Sequence, residues 1–148
     1  STSFVILDEP LLEALRIEAG IPRWGRELDE GTLPPEAGLD RTHIDYQKGC
    51  YIGQEVISRL KSIGRVNRRL CGFLSQRDRP LQAGMELFVA TAASASVGRL
   101  TSAAWSFSLE KPVALGYLER GAPDGDLLAR AAGLPDTAVS ARELPLVQ

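Results

Sequence analysis

The stretch KGCYIGQE, residues 48–55, places a cysteine between a glycine and a tyrosine, with a lysine two residues before it. If a helix begins just after Cys50, the free backbone N–H groups and the dipole of its first turn favour a negative charge on the sulfur. The positive charge of Lys48 acts in the same direction. Such surroundings lower the pKa of a thiol and favour the nucleophilic thiolate, so Cys50 and Lys48 are candidate catalytic residues. The alternative is a small buried cysteine in a turn, a common role for an unpaired thiol.

The other residues of this stretch suit either a ligand site or a helix start. Gly49 and Gly53 permit positive φ or the close approach of a ligand to the backbone. Gln54 is either a binding residue or part of the first helical turn, and Tyr51 is a further binding candidate. Glu55 is explained more simply, because a carboxylate in the first turn of a helix is favoured by the dipole alone.

The chain has two cysteines and one histidine, too few for most Cys/His metal sites. Cys71 lies in the strand-like run RLCGF and is predicted to be a core residue. No histidine lies close to Cys50 in sequence to serve as a base. His43 is either a catalytic residue or, as we interpret it, a surface or interface residue. The first residues lack the basic region and cleavage site of a secretory signal. Two thiols in such a chain fit a reducing compartment, so we expect a cytoplasmic protein, or a mitochondrial-matrix protein in a eukaryote.

Glu18 stands at the end of a predicted helix, DEPLLEALRIEAG. Asp8 can cap this helix, Pro10 suits its first turn, and Gly20 occupies the position where a glycine commonly ends a helix. The helix dipole opposes a carboxylate at this end, so some group must offset it. The candidates are Arg16 and a ligand that donates N–H groups, such as a fused amino-pyrimidinone ring.

Two helices and a set of short strands must position these residues. The second helix is predicted over YIGQEVISRLKSIG, because its apolar residues recur at helical spacing and Gly64 can end it; the segment between the helices lacks a period and is predicted to be irregular. From Arg65 the sequence changes to short apolar runs, which are RVNRRLCGFLS, GMELFVAT, ASVGRLTSAAWS, VALGYLER and TAVSARELPLV. Such runs predict a small antiparallel sheet or barrel. We therefore predict an α+β chain with a boundary near residues 62–65, an α/β part over 1–63 and an all-β part over 64–148.

Charge is distributed unevenly along the chain. The net charge is −2, but residues 1–45 carry ten acids and four bases, and residues 46–79 carry two acids and eight bases. The overall balance gives no reason to expect direct nucleic-acid binding. The basic segment is either a solvated face or an attractor for an anionic ligand. No stretch approaches the roughly eighteen apolar residues that a membrane-spanning helix requires, so no membrane partner is expected.

Several blocks together resemble one superfamily. LRIEAGIPRWGRELDEGTLPPEAGL followed by KGCYIGQE is similar to the YgfZ proteins, which are relatives of the glycine-cleavage T-protein (GcvT). GRLTSA and VALGYLER are similar to the T-protein-type C-terminal barrel, and the resemblance runs from about Leu15 to Leu146. KGCYxGQE is the most specific block, because so many positions of mixed chemistry rarely coincide by chance. LRIEAG and PPEAGL are shared with the wider aminomethyltransferase group.

The resemblance implies the remainder of a T-protein-like folate-binding α/β domain, followed by a small antiparallel β-barrel. It implies tetrahydrofolate or another folate derivative as the cofactor. In that family the motif cysteine is the functional thiol, which corresponds to Cys50. The glutamate of the RIEAG block contacts the pterin in T-protein-like folds, which corresponds to Glu18. The candidate folate-binding residues are Glu18, Arg16, Tyr51, Gly53, Gln54 and Arg59.

Three functions are compatible with this resemblance. The first is a tetrahydrofolate-binding accessory protein that supports the assembly or repair of iron–sulfur enzymes and, through them, tRNA modification, with Cys50 as the functional thiol. The second is a folate-dependent aminomethyl or one-carbon transferase, and the third is a non-catalytic interaction module. True T-proteins generally lack the cysteine motif, which favours the first. The expected partners are a reduced folate and iron–sulfur client proteins.

Two further expectations follow from the resemblance. Members of the family are longer, so we expect a portion that completes the folate-binding domain to lie outside this chain, and an apolar surface exposed there favours a homodimer. The glutamate tail of a folate is an anionic partner for the basic segment. The bases that are candidates to lie along this tail are Arg59, Lys61, Arg65, Arg68 and Arg69.

Overall fold

The computed structural model describes residues 6–63, 66–91, 95–123 and 125–148. Within these ranges the helices are α1 (Glu9–Ala19), a short 3-10 helix (Leu39–Arg41) and α2 (Gln54–Ile63). The strands are β1 (Arg68–Ser75), β2 (Glu86–Val89), β3 (Gly98–Ser106), β4 (Lys111–Glu119), β5 (Asp126–Arg130) and β6 (Thr137–Arg142). None of the described helices has the length and apolar character needed to cross a membrane.

Helix α1 begins and ends where the sequence predicts. The side chain of Asp8 caps it by accepting a hydrogen bond from the N–H of Leu11, and Pro10 lies in the first turn, where a missing N–H costs nothing. Gly20 ends the helix with a φ of 70°, the left-handed conformation that glycine adopts most readily. One face of α1 packs against β3 and β4. The buried residues of the helix are Ala14, Ile17 and Glu18.

The six described strands close into an antiparallel barrel in the order β1-β4-β3-β2-β5-β6. Each strand therefore has a partner on both sides, so the sheet has no open edge. The barrel confirms the predicted α+β fold, although β5 comes from a run that the sequence did not single out. Cys71 is 3% exposed, which confirms its prediction as a core residue. The interior is formed by Cys71, Phe73, Leu81, Met85, Leu87, Leu100, Ala114, Leu118, Leu127, Ala129 and Val139.

The segment between α1 and α2 is irregular, as its lack of a period predicts. It consists mainly of turns, with the 3-10 helix and an isolated bridge between Trp24 and Leu28. It is nevertheless packed, because the side chains of Glu27 and Glu36 are both buried. Helix α2 begins at Gln54, a few residues later than predicted. Its predicted end at Gly64 lies outside the described residues.

After β6 the chain leaves the sheet and packs against α1. The run TAVSARELPLV predicts one strand, but β6 ends at Arg142. Leu144 and Leu146 pack against an apolar cluster centred on the fully buried Ile17 of α1. Residues 144–147 are called the C-terminal strap below.

Candidate functional site

Glu18 is a buried carboxylate, 5% exposed, in the last turn of α1. Its Oε1 accepts a hydrogen bond from the hydroxyl of Ser106 at 2.6 Å, and its Oε2 accepts one from Ser108 at 3.1 Å. The sequence offers Arg16 or a ligand as the group that stabilises this carboxylate, but the structure supplies these two hydroxyls. A buried carboxylate requires such donors. Glu18 therefore fixes the end of α1 to the turn between β3 and β4.

Arg16 forms the centre of a second polar cluster. Its guanidinium donates hydrogen bonds to Glu13 and Glu27, both at 2.9 Å, and to the hydroxyl of Ser102 at 2.8 Å. Glu27 is 2% exposed and also accepts hydrogen bonds from Ser102 and Thr101. Burial opposes the charge of Arg16, but the hydrogen bond with Glu13 and the charge of Glu27 hold its pKa above the ordinary value. This cluster ties α1 and the segment that follows it to β3.

The sequence did not single out Glu27, Ser102 or Ser106. Glu27 lies in the acidic run RELDE, where no pattern distinguishes it from its neighbours. A signal for the serines was present, because GRLTSAAWS places hydroxyl residues within a strand whose other residues are mostly small or apolar. Both serines are buried, and buried hydroxyls need hydrogen-bond partners. A carboxylate on a neighbouring element is one such partner.

A cavity of about 720 Å³ lies where the end of α1, the PPEAGLD segment, β1 and the chain after β6 meet. Ala19 and Gly20 of the LRIEAG block and residues 35–39 of the PPEAGL block are among its lining residues. Its volume falls within the range of about 300–1,000 Å³ that is typical of small-molecule sites. Two blocks of the sequence that are separated along the chain therefore form walls of one space.

Polar side chains of the 3-10 helix and of the residues that follow it are grouped at one side of this cavity. Asp40, His43 and Tyr46 are among the lining residues, and the hydroxyl of Thr42 is 2.6 Å from Nδ1 of His43. Burial, and next the charge of Asp40, raise the pKa of Tyr46 above its ordinary value. The phenol of Tyr46 is therefore protonated at neutral pH.

The candidate folate-binding residues occupy two separate parts of the structure. Arg16 and Glu18 lie on α1, in the turn that precedes the cavity-lining Ala19. The residues of the KGCYIGQE stretch, Tyr51, Gly53 and Gln54, are not among the cavity-lining residues, and neither is Arg59. The structure thus brings Arg16 and Glu18 close to the cavity but does not bring the cysteine motif to its wall.

Cys50 is exposed to solvent. Because α2 begins only at Gln54, the cysteine precedes the helix by several residues instead of adjoining its first turn. The ammonium group of Lys48 lies 5.1 Å from the centre of the Tyr51 ring, a distance at which a cation is attracted to an aromatic face. Among the described residues, no group of three or more His, Cys, Asp or Glu is placed to hold a metal ion.

Two of the bases proposed to lie along a folate tail are paired with carboxylates of this chain. Arg68 donates to Glu36 at 3.0 Å, and its guanidinium lies 4.4 Å from the centre of the Tyr117 ring. Burial raises the pKa of Tyr117 to about 12. Arg59 pairs with Glu55 on the exposed surface of α2. The side chains of Lys61 and Arg65 lie outside the described residues, and Arg69 lines the cavity.

Comparison with known proteins finds one family and a consistent set of relatives. Residues 68–142 match the glycine cleavage T-protein C-terminal barrel domain. The chain is 31% identical over 109 residues to an aminomethyltransferase of Streptomyces avermitilis, a match that covers 72% of this chain and 28% of that protein. It is 32% identical over 120 residues to an aminomethyltransferase of Corynebacterium jeikeium, covering 81% of this chain and 30% of that protein. The chain thus spans less than a third of these curated relatives.

A solved structure is similar over most of the chain. It is the glycine cleavage system aminomethyltransferase T from Bartonella henselae, which superposes with a TM-score of 0.77 at 25% sequence identity. The match covers 91% of this chain and 37% of that protein. The likeness therefore extends beyond the barrel to most of the residues that precede it.

Proposed function

Because the chain belongs to the family of the glycine cleavage T-protein C-terminal barrel domain, we propose that it is part of a folate-dependent protein related to the aminomethyltransferases. The observation that carries the proposal is the cavity of about 720 Å³, whose walls combine the LRIEAG and PPEAGL blocks. The names of the relatives from Streptomyces and Corynebacterium support transferase chemistry more than a role in iron–sulfur assembly. The cofactor proposed is tetrahydrofolate or a derivative of it.

The residues that line the cavity fit a reduced folate. A pterin is a flat ring with an edge of N–H donors, so its binding requires apolar walls and acceptor groups. Pro22, Pro35 and Tyr46 supply walls, and the carboxylates of Asp40 and Glu143 supply acceptors. A bound reduced folate would supply a carrier for a one-carbon group, and these residues would hold its ring.

The direct test is a calorimetric titration of tetrahydrofolate into the 148-residue chain. Ala19→Trp fills the cavity from the end of α1, because Ala19 is an exposed residue on the cavity wall. Leu15→Trp is the matched control, since Leu15 is an exposed position of the same helix that does not line the cavity. We expect Ala19→Trp to weaken binding by about tenfold or more and Leu15→Trp to bind as the wild type does. Equal affinity of all three proteins, or no binding by the wild type, contradicts a folate site in this cavity.

A second candidate function is favoured by the exposed thiol of Cys50 in the KGCYIGQE stretch. In this alternative the protein is a YgfZ-like accessory factor that supports iron–sulfur enzymes and, through them, tRNA modification. Cys50 is its functional thiol and iron–sulfur client proteins are its partners. An exposed cysteine suits this role because a thiol that acts on another protein must be accessible to it.

Replacement of this thiol separates the two functions. Cys50→Ser changes an exposed side chain, so we expect the melting temperature to stay within about 2 °C of the wild type. In cells of the source organism, the accessory role predicts that Cys50→Ser lowers the activity of iron–sulfur enzymes, whereas the exposed neighbouring change Gln47→Ala does not. Unchanged iron–sulfur activity in Cys50→Ser cells removes the accessory role and leaves the transferase-related function, which tolerates this substitution.

A further inference from the structure

One side of the cavity is formed by the chain that follows β6. Glu143, Leu144 and Pro145 are among its lining residues. They lie near the end of the chain, whereas the LRIEAG and PPEAGL blocks that line other walls lie near its start. The C-terminal strap, residues 144–147, thus includes two of these wall residues. The strap is not part of the barrel sheet, since β6 ends at Arg142. Its position depends on what it packs against outside the sheet.

Two glycines leave room for the leucines of the strap. A Cβ atom built on Gly20 lies 2.7 Å from the Cβ of Leu144, closer than real Cβ contacts allow. A Cβ atom built on Gly72 of β1 overlaps the side chain of Leu146. Both leucines reach the apolar cluster around Ile17 only because these positions lack a side chain. The strap therefore fits a groove between the end of α1 and β1.

The backbone of the strap is held by Glu18. The N–H groups of Leu146 and Val147 both donate to the carbonyl oxygen of Glu18, at 2.8 and 3.3 Å. The carboxylate of the same residue accepts hydrogen bonds from the hydroxyls of Ser106 and Ser108. One residue thus joins α1, the turn between β3 and β4, and the strap, directly before the cavity-lining Ala19 and Gly20.

We propose that the C-terminal strap positions one wall of the cavity. When the strap is docked on Glu18 it completes this wall, so a ligand in the cavity and the docked strap stabilise each other. Any ligand that contacts Leu144 or Pro145 binds the docked form more tightly than an undocked one, and the linkage is reciprocal. This assigns Glu18 a role through its backbone carbonyl, with its carboxylate serving as the anchor on the barrel. The ligand-binding part of the proposal rests on the proposed folate function, whereas the docking of the strap does not.

Two variants release the strap from different sides. Leu146→Ala removes an anchoring side chain, and Gly72→Ala fills the space that Leu146 occupies without changing the strap itself. Leu109→Ala is the matched control, because Leu109 packs against the same cluster but belongs neither to the strap nor to the cavity lining. Comparison with this control separates docking of the strap from a general loss of stability.

Two measurements read the position of the strap without any ligand. The first is hydrogen exchange at the amides of Leu146 and Val147, which we expect to accelerate by about tenfold or more in both strap variants. The second is the imidazole NMR signal of His43, the sole histidine of the chain, which lines the cavity and is expected to shift in the strap variants. In Leu109→Ala both readouts are expected to match the wild type. Equal exchange rates and unchanged His43 signals in all variants overturn the proposal.

Titration with tetrahydrofolate tests the reciprocal linkage. If the wild type binds, we expect affinity to fall on the order of tenfold in Leu146→Ala and Gly72→Ala but not in Leu109→Ala, and we expect the ligand to slow exchange at Leu146 and Val147. Unchanged affinity in the strap variants overturns the linkage. If the wild type does not bind tetrahydrofolate, the folate function fails, and the exchange and His43 measurements alone decide whether the strap positions the cavity wall.

Discussion

The end of α1 and the KGCYIGQE stretch are held in opposite ways. Arg16 and Glu18 contact the barrel through buried or partly buried hydrogen bonds to residues of β3 and the turn after it. In the other region, the contacts of Lys48 and Glu55 are with their own neighbours in sequence. Cys50 is exposed. The motif that is most specific in sequence is therefore the less firmly packed of the two.

The difference shows which chemistry the fold of this chain determines by itself. The polar groups of α1 have fixed partners, so their geometry is set before any ligand arrives. Ile52, which precedes α2, and Val56, which lies within it, are both exposed, although their spacing of four residues is that of a helix face which normally packs against another surface. Regions with few buried contacts lie at the low-stability end of a protein and are often functional. The end of α1 is therefore held by the barrel itself, whereas the KGCYIGQE stretch is accessible to solvent.

The largest expected effect tests how firmly α1 is held. In Glu27→Ala, the largely buried guanidinium of Arg16 loses one of its two carboxylate partners, at 2.9 Å, and keeps Glu13. Breaking a buried ion pair on one side typically costs about 3–5 kcal/mol, and the remaining partner places the expected cost near the lower end, at about 3 kcal/mol. We expect a fall of this size in the free energy of unfolding, measured by urea denaturation. Glu30→Ala, an exposed acid of the same segment, is the control and is expected to change it by less than about 0.5 kcal/mol. If Glu27→Ala and Glu30→Ala are equally stable, the Arg16 cluster does not hold α1 in place.

A smaller effect tests the second anchor of the same helix. Ser106→Ala removes the donor to Glu18 and also the acceptor of the N–H of Leu109. Leaving a buried polar group unsatisfied costs about 1–3 kcal/mol, so we expect a loss of stability in this range by chemical denaturation. Ser108→Ala removes the longer bond at the less buried site, and its loss is expected to be the smaller of the two. The reverse order contradicts the anchoring role of Ser106.

The fold was more accessible from the sequence than the site. The caps of α1 are local signals, because Asp8 and Gly20 act on the backbone within one turn. The barrel was indicated by its short apolar runs, but β5 was missed since DLLAR is too short to show a period. The order of the strands depends on pairings between distant parts of the chain, which local patterns do not encode.

The polar clusters at α1 could not be predicted for a related reason. Glu18 was recognised as a carboxylate that needs a partner, but its donors, Ser106 and Ser108, lie far away in sequence. The charges in the sequence suggested the wrong partner for Glu18, because Arg16 is a cation in the same helix. The walls of the cavity likewise come together only when the barrel closes and the strap packs against α1.

The dependence of stability on acidic pH tests the contribution of Glu13, which lies at the more exposed side of the Arg16 cluster. The hydrogen bond from Arg16 lowers the pKa of Glu13 below its ordinary value of 4.5. A carboxyl with a lowered pKa in the folded state contributes stability above its unfolded pKa, and this contribution is lost as the pH falls through the folded value. We expect Glu13→Gln to be less stable than the wild type at neutral pH and the difference to shrink as the pH falls below 4.5. A difference that does not shrink as the pH falls contradicts the contribution of this hydrogen bond.

The smallest expected effect lies in the KGCYIGQE stretch and completes the comparison. Glu55 and Arg59 form an ion pair one helical turn apart, with side chains that are 77% and 73% exposed. Exposed pairs of this kind contribute about 0.3–0.5 kcal/mol and weaken in salt. We expect Glu55→Gln to lower the free energy of unfolding by no more than this amount at low salt and by less at high salt. A loss of about 2 kcal/mol or more means that α2 is held as firmly as α1, and the distinction between an accessible motif and a pre-organised helix end is then wrong.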